Sequence, residues 1–349
     1  MDCSRFDGQV ARLDPAIAPL ARQFVLLRLT RMRGVDLELF DFDYDLTWMA
    51  FFLGSDGRVL SRYGGRGADS TEGRVSLAGL RYALEAALEA HRRAAPAHRP
   101  AKPPRTAEQF PAAARLPRTA CIRCHQVYDL RRQSLQMSGK WMLDELWVYP
   151  PPENVGLTLE VDRGDVVARV APGSAAARLG LAKGDRLLTV GGRPVASYGD
   201  VQYALHKAPA KGKIEVRWRH GGEERAGELA LAEGWRKSDV SWRWSLRGVE
   251  PSPWVQGDDL EPDEKKELGL PPKRLAFRQG PFVSAPARQA GVRQNDVIVG
   301  IDGKVLELTE RQFALYVRLN YKVGDRVTYN ILRRGRRLDV PLQLAPRAP

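Results

Sequence analysis

The sequence predicts an α+β protein of several domains, and three observations lead to this fold class. The order of elements at residues 153–232 recurs at about 266–345, so nearly half of the chain is an internal repeat. Ahead of the repeat, residues 1–92 combine short apolar runs typical of strands with one amphipathic helical segment. Between these regions, residues 93–119 are rich in Pro, Ala and basic side chains, a composition typical of an extended linker.

The chain carries a formal net charge of +13, which raises the question of an anionic partner. The basic residues are spread over the whole sequence, and neither a helix-turn-helix nor a zinc-finger spacing is present. No apolar run reaches the roughly 20 residues that a membrane span needs. We therefore predict no nucleic-acid partner and no transmembrane segment, and the sequence leaves the oligomeric state open.

Residues 1–92 contain three predicted strands and one predicted helix. The strands are the apolar runs Phe24–Leu29, Trp48–Leu53 and Arg58–Tyr63. Ser-Asp-Gly at 55–57 separates the last two runs and indicates a tight hairpin turn. From residue 77 to residue 91, apolar side chains recur every three or four positions, which predicts a helix with Ser76 as its N-cap.

This order of elements resembles the thioredoxin-like fold with its first strand missing. The resemblance rests on Cys3 ahead of a helical stretch and on the runs Phe40–Trp48 and Tyr63–Arg66. It implies that Cys3 is a catalytic cysteine whose redox partner lies three residues upstream, beyond Met1. Thioredoxins also carry a cis-proline facing the active site, and the matching Leu46-Thr47 has no proline.

Two hypotheses for Cys3 stay open. In the first, the upstream partner is selenocysteine, whose codon reads as a stop. A single cause would then explain the missing first strand and the missing signal peptide. In the second, the fold is a degenerate binding module in which Cys3 is idle.

After the linker, residues 120–150 carry the pattern Cys121-Ile122-Arg123-Cys124-His125. C-x-x-C-H is the attachment pattern of c-type haem, in which Cys121 and Cys124 would form thioethers and His125 would ligate iron. Met137 and Met142 are the candidate sixth ligands. The alternatives are a disulfide between Cys121 and Cys124, and a partial metal site completed by His98 or Asp129. Haem c is the candidate cofactor, but the sequence alone assigns no cofactor. It assigns no metal ligand either.

Each copy of the internal repeat has a small-residue stretch, a turn, an apolar strand, glycines, a capped helix and two closing strands. The first small-residue stretch is Ala171–Leu181 and the second is Ser284–Val292. This order resembles PDZ domains of the bacterial chaperone-protease type. The resemblance implies two small β-sandwich or barrel domains with two helices each, at 151–233 and 266–346. A Trp-rich connector at 234–265 would join them.

PDZ domains bind a peptide as an added strand between a sheet edge and a helix. The resemblance implies that the loop Val155, Gly156, Leu157, Thr158 and Leu159 offers backbone amides to the C-terminal carboxylate of the peptide. Val201 and Leu205 of the capped helix would form the other wall. In the second copy the matching loop is Arg274–Arg278, with Ala276 where glycine is expected. Weaker binding is therefore predicted for that copy.

The predicted function is that of a PDZ-mediated adaptor for protein C-termini or extended peptide segments, with a thiol-redox or haem-linked role. No serine-protease motif accompanies the repeats. The alternatives are an interaction scaffold without chemistry and a c-haem electron-transfer protein. The combined architecture resembles a bacterial group of thioredoxin-like/PDZ proteins, some of which carry selenocysteine. It predicts an extracytoplasmic, periplasmic location despite the lack of a visible signal peptide, with the cytoplasm as the alternative.

Overall fold

The computed structural model describes residues 3–67, 74–93 and 102–347, without the side chains of Cys3 and Ser4. The chain divides into two compact units, Met1–Ser238 and Asp239–Pro349. In the described residues, no helix has the length and apolar character to cross a membrane.

The N-terminal part of the first unit is built on one β-hairpin and one long helix. Ser76 Oγ accepts a hydrogen bond from Gly79 N at 2.9 Å, which confirms the predicted N-cap. The elements are α1 (Cys3–Ala11), α2 (Ala18–Ala21), β1 (Ala50–Leu53), β2 (Val59–Tyr63) and α3 (Leu77–Arg93). The antiparallel β1–β2 pair and α3 enclose a core that includes Phe6, Phe52 and Leu80.

The predicted strand at 24–29 is wrong. This segment has no regular secondary structure, and the side chains of Val25 and Leu27 are 92 % and 87 % exposed. Among the described residues β1 pairs only with β2, so the apolar run at 24–29 does not pair with either strand. The first region therefore shows a two-stranded hairpin, and the thioredoxin-like resemblance stays a prediction.

Residues 102–150 pack as a small helical layer. Two 3-10 helices, Ala107–Gln109 and Pro111–Arg115, precede α4 (Cys124–Met137). Ala107 and Ala112 are buried in a cluster with Val127 and Leu130 of α4. The segment 102–119 thus differs from the extended linker that its composition predicted, because its alanines fit closely against α4. Residues 94–101 of that linker lie outside the described residues.

The first copy of the repeat follows in the same unit. Its elements are β3 (Leu157–Leu159), β4 (Val167–Val170), α5 (Ala175–Leu179), β5 (Arg186–Val190), β6 (Arg193–Pro194), α6 (Tyr198–His206), β7 (Gly212–His220) and β8 (Glu223–Leu231). β3 pairs with β4, and the other strands form an antiparallel sheet in the order β6-β5-β7-β8. One apolar core joins these strands to α6.

The described part of the second unit contains one five-stranded sheet, three α-helices and the 3-10 helix Trp244–Gly248. Its elements are β9 (Gly257–Asp259), α7 (Pro262–Glu267), β10 (Phe277–Gln279), α8 (Ala285–Ala290), β11 (Val297–Ile301), α9 (Glu310–Asn320), β12 (Arg326–Arg333) and β13 (Arg336–Gln343). The strand order is β13-β12-β11-β10-β9, so β9 forms one edge. The predicted connector at 234–265 therefore contributes a strand to this sheet.

The two copies share their local geometry. The short helices α5 and α8 begin at the N-cap residues Ser174 and Ser284, and each ends at a left-handed glycine. The longer helices α6 and α9 begin at Ser197 and Thr309, whose side chains accept hydrogen bonds from the third helical residue. Both copies thus contain an N-capped short helix, a strand, an N-capped longer helix and two closing strands, whereas α7 has no counterpart in the first copy and β6 has none in the second.

Candidate functional site

The apolar side chains predicted to line the first peptide groove come together in the structure. Val155, Leu157 and Leu159 share one cluster with Val201 and Leu205 of α6. Each of these side chains is at most 3 % exposed, and Thr158 is half-buried. They therefore form the core beneath the predicted groove, and a peptide would have to meet other residues of α6.

Gly156 occupies a position that no other residue could take without strain. Its φ is +89°, in the left-handed region that favours glycine. A Cβ added at this position would lie 2.1 Å from Cβ and Oγ of Ser174. The loop before β3 is therefore held against the N-cap of α5, and Gly156 O accepts a hydrogen bond from Ala171 N at 2.9 Å.

A second side of α6 consists of Tyr198, Gly199, Gln202 and Tyr203, which we call the α6 outer face; of these, Tyr198 also packs into the apolar core. An extended segment of the same chain, residues 62–66, covers it. The guanidinium carbon of Arg62 lies 3.6 Å from the ring centre of Tyr203. A Cβ added at Gly65 would lie 2.5 Å from the Tyr198 ring, so the backbone passes directly over that side chain. Tyr198 also donates a hydrogen bond to Arg66 O.

One acidic side chain, Asp200, fastens this covering segment directly, and a second, Glu153, holds residues beside it. Asp200 is buried and accepts hydrogen bonds from Ser61 Oγ at 2.6 Å and from Arg62 N at 2.8 Å. Burial raises the pKa of Asp200 to about 6, although these donors favour its charged form. Glu153 accepts hydrogen bonds from Tyr198 and from Arg74.

The C-terminal end of α6 is also covered. His206 stacks on the ring of Tyr149 with 4.0 Å between the ring centres. Its Nδ1 accepts a hydrogen bond from Tyr149 N at 3.3 Å, and Gln202 donates to Tyr149 O at 2.8 Å. Burial lowers the pKa of His206 to about 3, so the neutral ring is the form that fits this position.

The structure corrects the predicted loop of the second copy. Leu275, Ala276 and Phe277 are fully buried, and β10 pairs both with β11 and with the preceding strand β9. β10 is therefore the counterpart of β4, which likewise follows a short paired strand and precedes the N-capped helix. Helix α7 lies between β9 and β10 and has no counterpart in the first copy. For this reason the sequence comparison matched the Gly156 loop to β10.

The counterpart of the Gly156 loop is the segment that leads into β9. Trp254 has a φ of +60°, the left-handed conformation that Gly156 adopts in the first copy. Its carbonyl oxygen accepts a hydrogen bond from Ser284 Oγ at 2.7 Å, so it meets the N-cap of α8 as Gly156 meets Ser174. The indole Nε1 of Trp254 donates to Ala345 O at 3.1 Å and holds the ring in place.

A cavity of about 410 Å³ lies between this loop and α9. On the α9 side it is lined by Glu310, Arg311, Ala314 and Leu315, which we call the α9 outer face. Counted from the N-caps, these residues occupy the positions of the α6 outer face. Sequence reasoning missed this site because it matched Gly156 to Ala276, 22 residues after Trp254, and the inserted helix α7 makes the distance from the loop to the N-cap serine longer in the second copy.

The side chains around the cavity are mainly cationic and aromatic. Trp244 and Phe282 are 53 % and 70 % exposed. The guanidinium carbon of Arg247 lies 3.6 Å from the ring centre of Trp244. Burial and the neighbouring Arg347 lower the pKa of Arg318 to about 10. Five arginines line the cavity with a single carboxylate, Glu310: Arg243, Arg247, Arg311, Arg318 and Arg347.

The two cysteines of the C-x-x-C-H pattern lie at the start of α4. Both are free thiols in the structure; Cys121 is exposed, and Cys124 is half-buried as the first helical residue. Burial raises the pKa of the Cys124 thiol, which opposes a reactive thiolate. Cys3 is the first residue of α1, and its side chain lies outside the described residues.

The expected haem ligands do not fit together as a pair. His125 and Met137 lie on the same helix, 12 residues apart, which corresponds to about 18 Å at 1.5 Å per residue. They cannot ligate the same iron. Met142 lies beyond the helix and is 63 % exposed. Haem attachment therefore stays a prediction from the pattern alone.

The metal alternative finds little support in the described part of the chain. No group of three or more His, Cys, Asp or Glu side chains there could hold a metal ion. His98 lies outside the described residues, and Asp129 forms an ion pair with Arg132 at 2.8 Å.

Residues 166–219 match the family model described as PDZ domain. The match runs from the start of β4 into β7 and includes α6. This part of the chain is therefore a PDZ domain, as the sequence predicted.

Curated relatives are similar to this chain over about half of its length. The periplasmic pH-dependent serine endoprotease DegQ of Escherichia coli K12 is 27 % identical over 144 residues, which are 41 % of this chain and 29 % of that protein. A probable periplasmic serine endoprotease DegP-like of Hahella chejuensis is 26 % identical over 191 residues, which are 53 % of this chain and 39 % of that protein. The chain thus spans well under half the length of either relative.

Solved structures overlap with smaller parts of the chain. The HtrA3 PDZ domain bound to a phage-derived ligand (FGRWV) is 30 % identical, covering 20 % of this chain and 65 % of that one, with a TM-score of 0.18. The serine endoprotease from Yersinia pestis is 25 % identical, covering 23 % of this chain and 28 % of that one, with a TM-score of 0.20.

Proposed function

We propose, from the PDZ domain at residues 166–219, that this chain is an adaptor that binds extended peptide segments through two sheet–helix clefts. The observation that carries the proposal is the extended segment 62–66, which already lies across the α6 outer face. A face that holds one extended backbone by hydrogen bonds and ring contacts is suited to holding another.

The second unit is the second PDZ domain in this proposal. Its support is the shared order of elements, the N-caps of α8 and α9, and the left-handed residue that meets the N-cap serine. Its cleft differs in one respect. The described residues leave a cavity along the α9 outer face, whereas the chain itself covers the α6 outer face.

The second cleft is therefore the one that binds peptide in the resting protein, and the first binds after residues 62–66 move away. This reverses the order expected from the sequence, in which the second copy was the weaker binder. Notably, the reason for that expectation, Ala276, lies in the buried counterpart of β4 and cannot face a peptide carboxylate.

The test is to fill the second cleft. Ala314 is half-buried and lines the cavity, so Ala314→Trp should occupy space that a peptide needs. With the full-length protein and a fluorescent library of extended decapeptides, we expect binding near the micromolar level (about 8 kcal/mol) and at least a tenfold loss in A314W.

The matched control is Asn320→Trp, which adds the same ring at an exposed position at the end of α9. Its affinity should equal that of the unaltered chain. If A314W and N320W bind every peptide as the unaltered chain does, the second cleft is not a peptide site.

The proposed location is extracytoplasmic. Its support is that the curated relatives are named as periplasmic proteins. Their endoprotease activity is not part of the proposal, because the chain covers only a fraction of each relative and its sequence shows no serine-protease motif. Thiol catalysis is also left out, because burial of Cys124 works against it.

A further inference from the structure

The surroundings of the α6 and α9 outer faces differ in charge. This difference indicates which kind of peptide segment each face can bind. Around α6, Asp200 accepts a hydrogen bond from the backbone N–H of Arg62, and Glu153 accepts one from the Arg74 guanidinium, which lies beside the covering segment. At the position of Asp200, counted from the N-cap, α9 carries the neutral Gln312. The covered face is thus an acidic face beneath a basic segment.

Around α9 the charges are reversed. Arg247 and Arg347 extend to the cavity from neighbouring segments, and Arg311 belongs to α9 itself. Arg311 is exposed and makes no hydrogen bond or ion pair with the rest of the described chain. Arg347 is only loosely compensated, since its Nε lies 3.8 Å from a Glu250 carboxylate oxygen.

The cavity lies at the start of the edge strand β9: Val255 and Gln256, which lead into β9, line the cavity, whereas Asp259 at the other end of β9 accepts a hydrogen bond from Glu310 N at 2.8 Å. β9 is the last strand of the five-stranded sheet, and β10 is its one partner among the described strands. An extended chain placed in the cavity could add to the start of that edge through backbone hydrogen bonds. The aromatic rings of Trp244 and Phe282 would then contact its apolar side chains.

We infer that the cavity of the second unit binds an extended acidic peptide, with carboxylate side chains paired to Arg247, Arg311 and Arg347 and the backbone added to β9. The inference rests on the proposed function and names the partner class of its second cleft. Glu310 does not oppose this, because it is the single carboxylate among the five arginines that line the cavity. Guanidinium groups suit the task because their planar donors match a carboxylate.

The experiment uses the full-length protein and three labelled decapeptides. The first alternates Glu with Val and has a free C-terminus, the second is the same peptide amidated, and the third has Gln in place of every Glu. We expect the first two to bind alike and the Gln peptide to bind at least tenfold more weakly. Raising the salt from about 50 to 500 mM should weaken only the acidic pair, because exposed charges are screened.

Variants locate the effect. Arg247→Gln and Arg311→Gln should each weaken the acidic peptides about three- to fivefold, the range for exposed ion pairs. Arg337→Gln is the matched control, because it removes one exposed positive charge from β13 of the same unit and Arg337 does not line the cavity. Its affinity should be unchanged.

The outcomes separate this inference from the proposal beneath it. If the Gln peptide binds as well as the acidic one, and A314W still abolishes binding, the cleft takes peptides without charge selection and the inference fails alone. A tenfold loss of affinity on amidation would show that the cleft binds the C-terminal carboxylate of the peptide instead of its side-chain carboxylates. A loss of affinity in R337Q equal to that in R311Q would show that the overall positive charge of the unit attracts the peptide, without specific pairing in the cavity. If no peptide binds, while anionic lipid vesicles bind through the same arginines, both proposals fall.

Discussion

The two titratable side chains buried along α6 should respond to pH in opposite directions. His206, near the C-terminal end, has its pKa lowered to about 3, and the ordinary value is 6.5. The folded state favours the neutral ring, so the stability it contributes is present above pH 6.5 and is lost as the pH falls toward 3. Desolvation is the main cause. The charged neighbours are Asp41, which raises this pKa, and Lys207, Arg236 and Arg131, which lower it.

Asp200, near the N-terminal end, behaves in the reverse way. Its pKa rises from 3.8 to about 6, so the folded state favours the protonated acid. The corresponding stability is present below about pH 4 and is lost as the pH rises through 6. Between pH 4 and 6 the two contributions therefore oppose each other, and the unaltered chain should show only a shallow pH dependence from this pair.

Single substitutions should separate the pH dependence of stability that each side chain contributes. In His206→Gln, whose amide oxygen can still accept from Tyr149 N, the free energy of unfolding should rise as the pH falls from 6 to 4. In Asp200→Asn it should fall more steeply than in the unaltered chain. One proton corresponds to at most about 1.4 kcal/mol per pH unit. Urea unfolding at pH 4, 5, 6 and 7 measures the slopes, and parallel curves for all three proteins would contradict this account.

At the scale of the element, equivalent positions of α6 and α9 have different surroundings. Tyr198 and Gln202 meet the covering segment, whereas Glu310 and Ala314 at the same positions line a cavity. Beneath both faces the core positions stay apolar and buried, with Val201 in α6 and Phe313 in α9. This helix pattern is therefore common to the two copies, whereas the outer face of α6 is covered and that of α9 borders a cavity.

The cover over α6 should be removable by one substitution. Gly65 has a φ of +137°, and a Cβ there would overlap the Tyr198 ring, so Gly65→Val should lift residues 61–66. Amide hydrogen exchange at Arg62 and Arg74, which donate to Asp200 and to Gly65 O, should become at least tenfold faster. Peptide binding by the first PDZ domain should rise in the same variant.

The control for Gly65 is Gly139, which also has positive φ but opens onto empty space at the end of α4. Gly139→Val adds backbone strain without touching the cover, so exchange at residues 61–66 should stay as it was. Equal protection of the Arg62 amide in both variants would mean that the segment is not held by its passage over Tyr198.

The helix caps of the two copies could be predicted from the sequence because their signals are local. Ser174 and Ser284, each followed by a glycine that ends the helix, specify their caps within seven residues or so of chain. The hairpin before α3 was equally readable from Ser-Asp-Gly at 55–57. The apolar run at 24–29 led to a wrong strand prediction, because a strand forms only beside a partner strand and the residues of the run do not show whether a partner is present.

The functional surfaces were harder to predict because they depend on long-range contacts. The cover on α6 joins residues 61 and 200, which are 139 positions apart. The second cleft was misplaced because α7 separates β9 from β10, so the matching loop lay in the expected connector. Helical periodicity identified the core face of α6, with Val201 and Leu205, but did not show what the opposite face would meet.

At the scale of the whole molecule, the state of the cysteines reports the compartment in which the chain works. In an oxidising compartment, two thiols at i and i+3 should not both stay free. Cys121 is exposed and can reach an oxidant, while Cys124 is half-buried beside it. We therefore predict that both are covalently engaged in protein taken from its native compartment, as a mutual disulfide or as thioethers to haem.

Intact mass distinguishes these states. A loss of about 2 Da indicates a disulfide and a gain of roughly 616 Da indicates haem. After reduction, iodoacetamide should label Cys121 before Cys124, because burial raises the pKa of the Cys124 thiol and leaves less thiolate. Cys121→Ser is the control, since it leaves Cys124 without a partner and should abolish the mass loss. If both thiols of the native protein react fully without prior reduction, the compartment is reducing, and the extracytoplasmic placement fails.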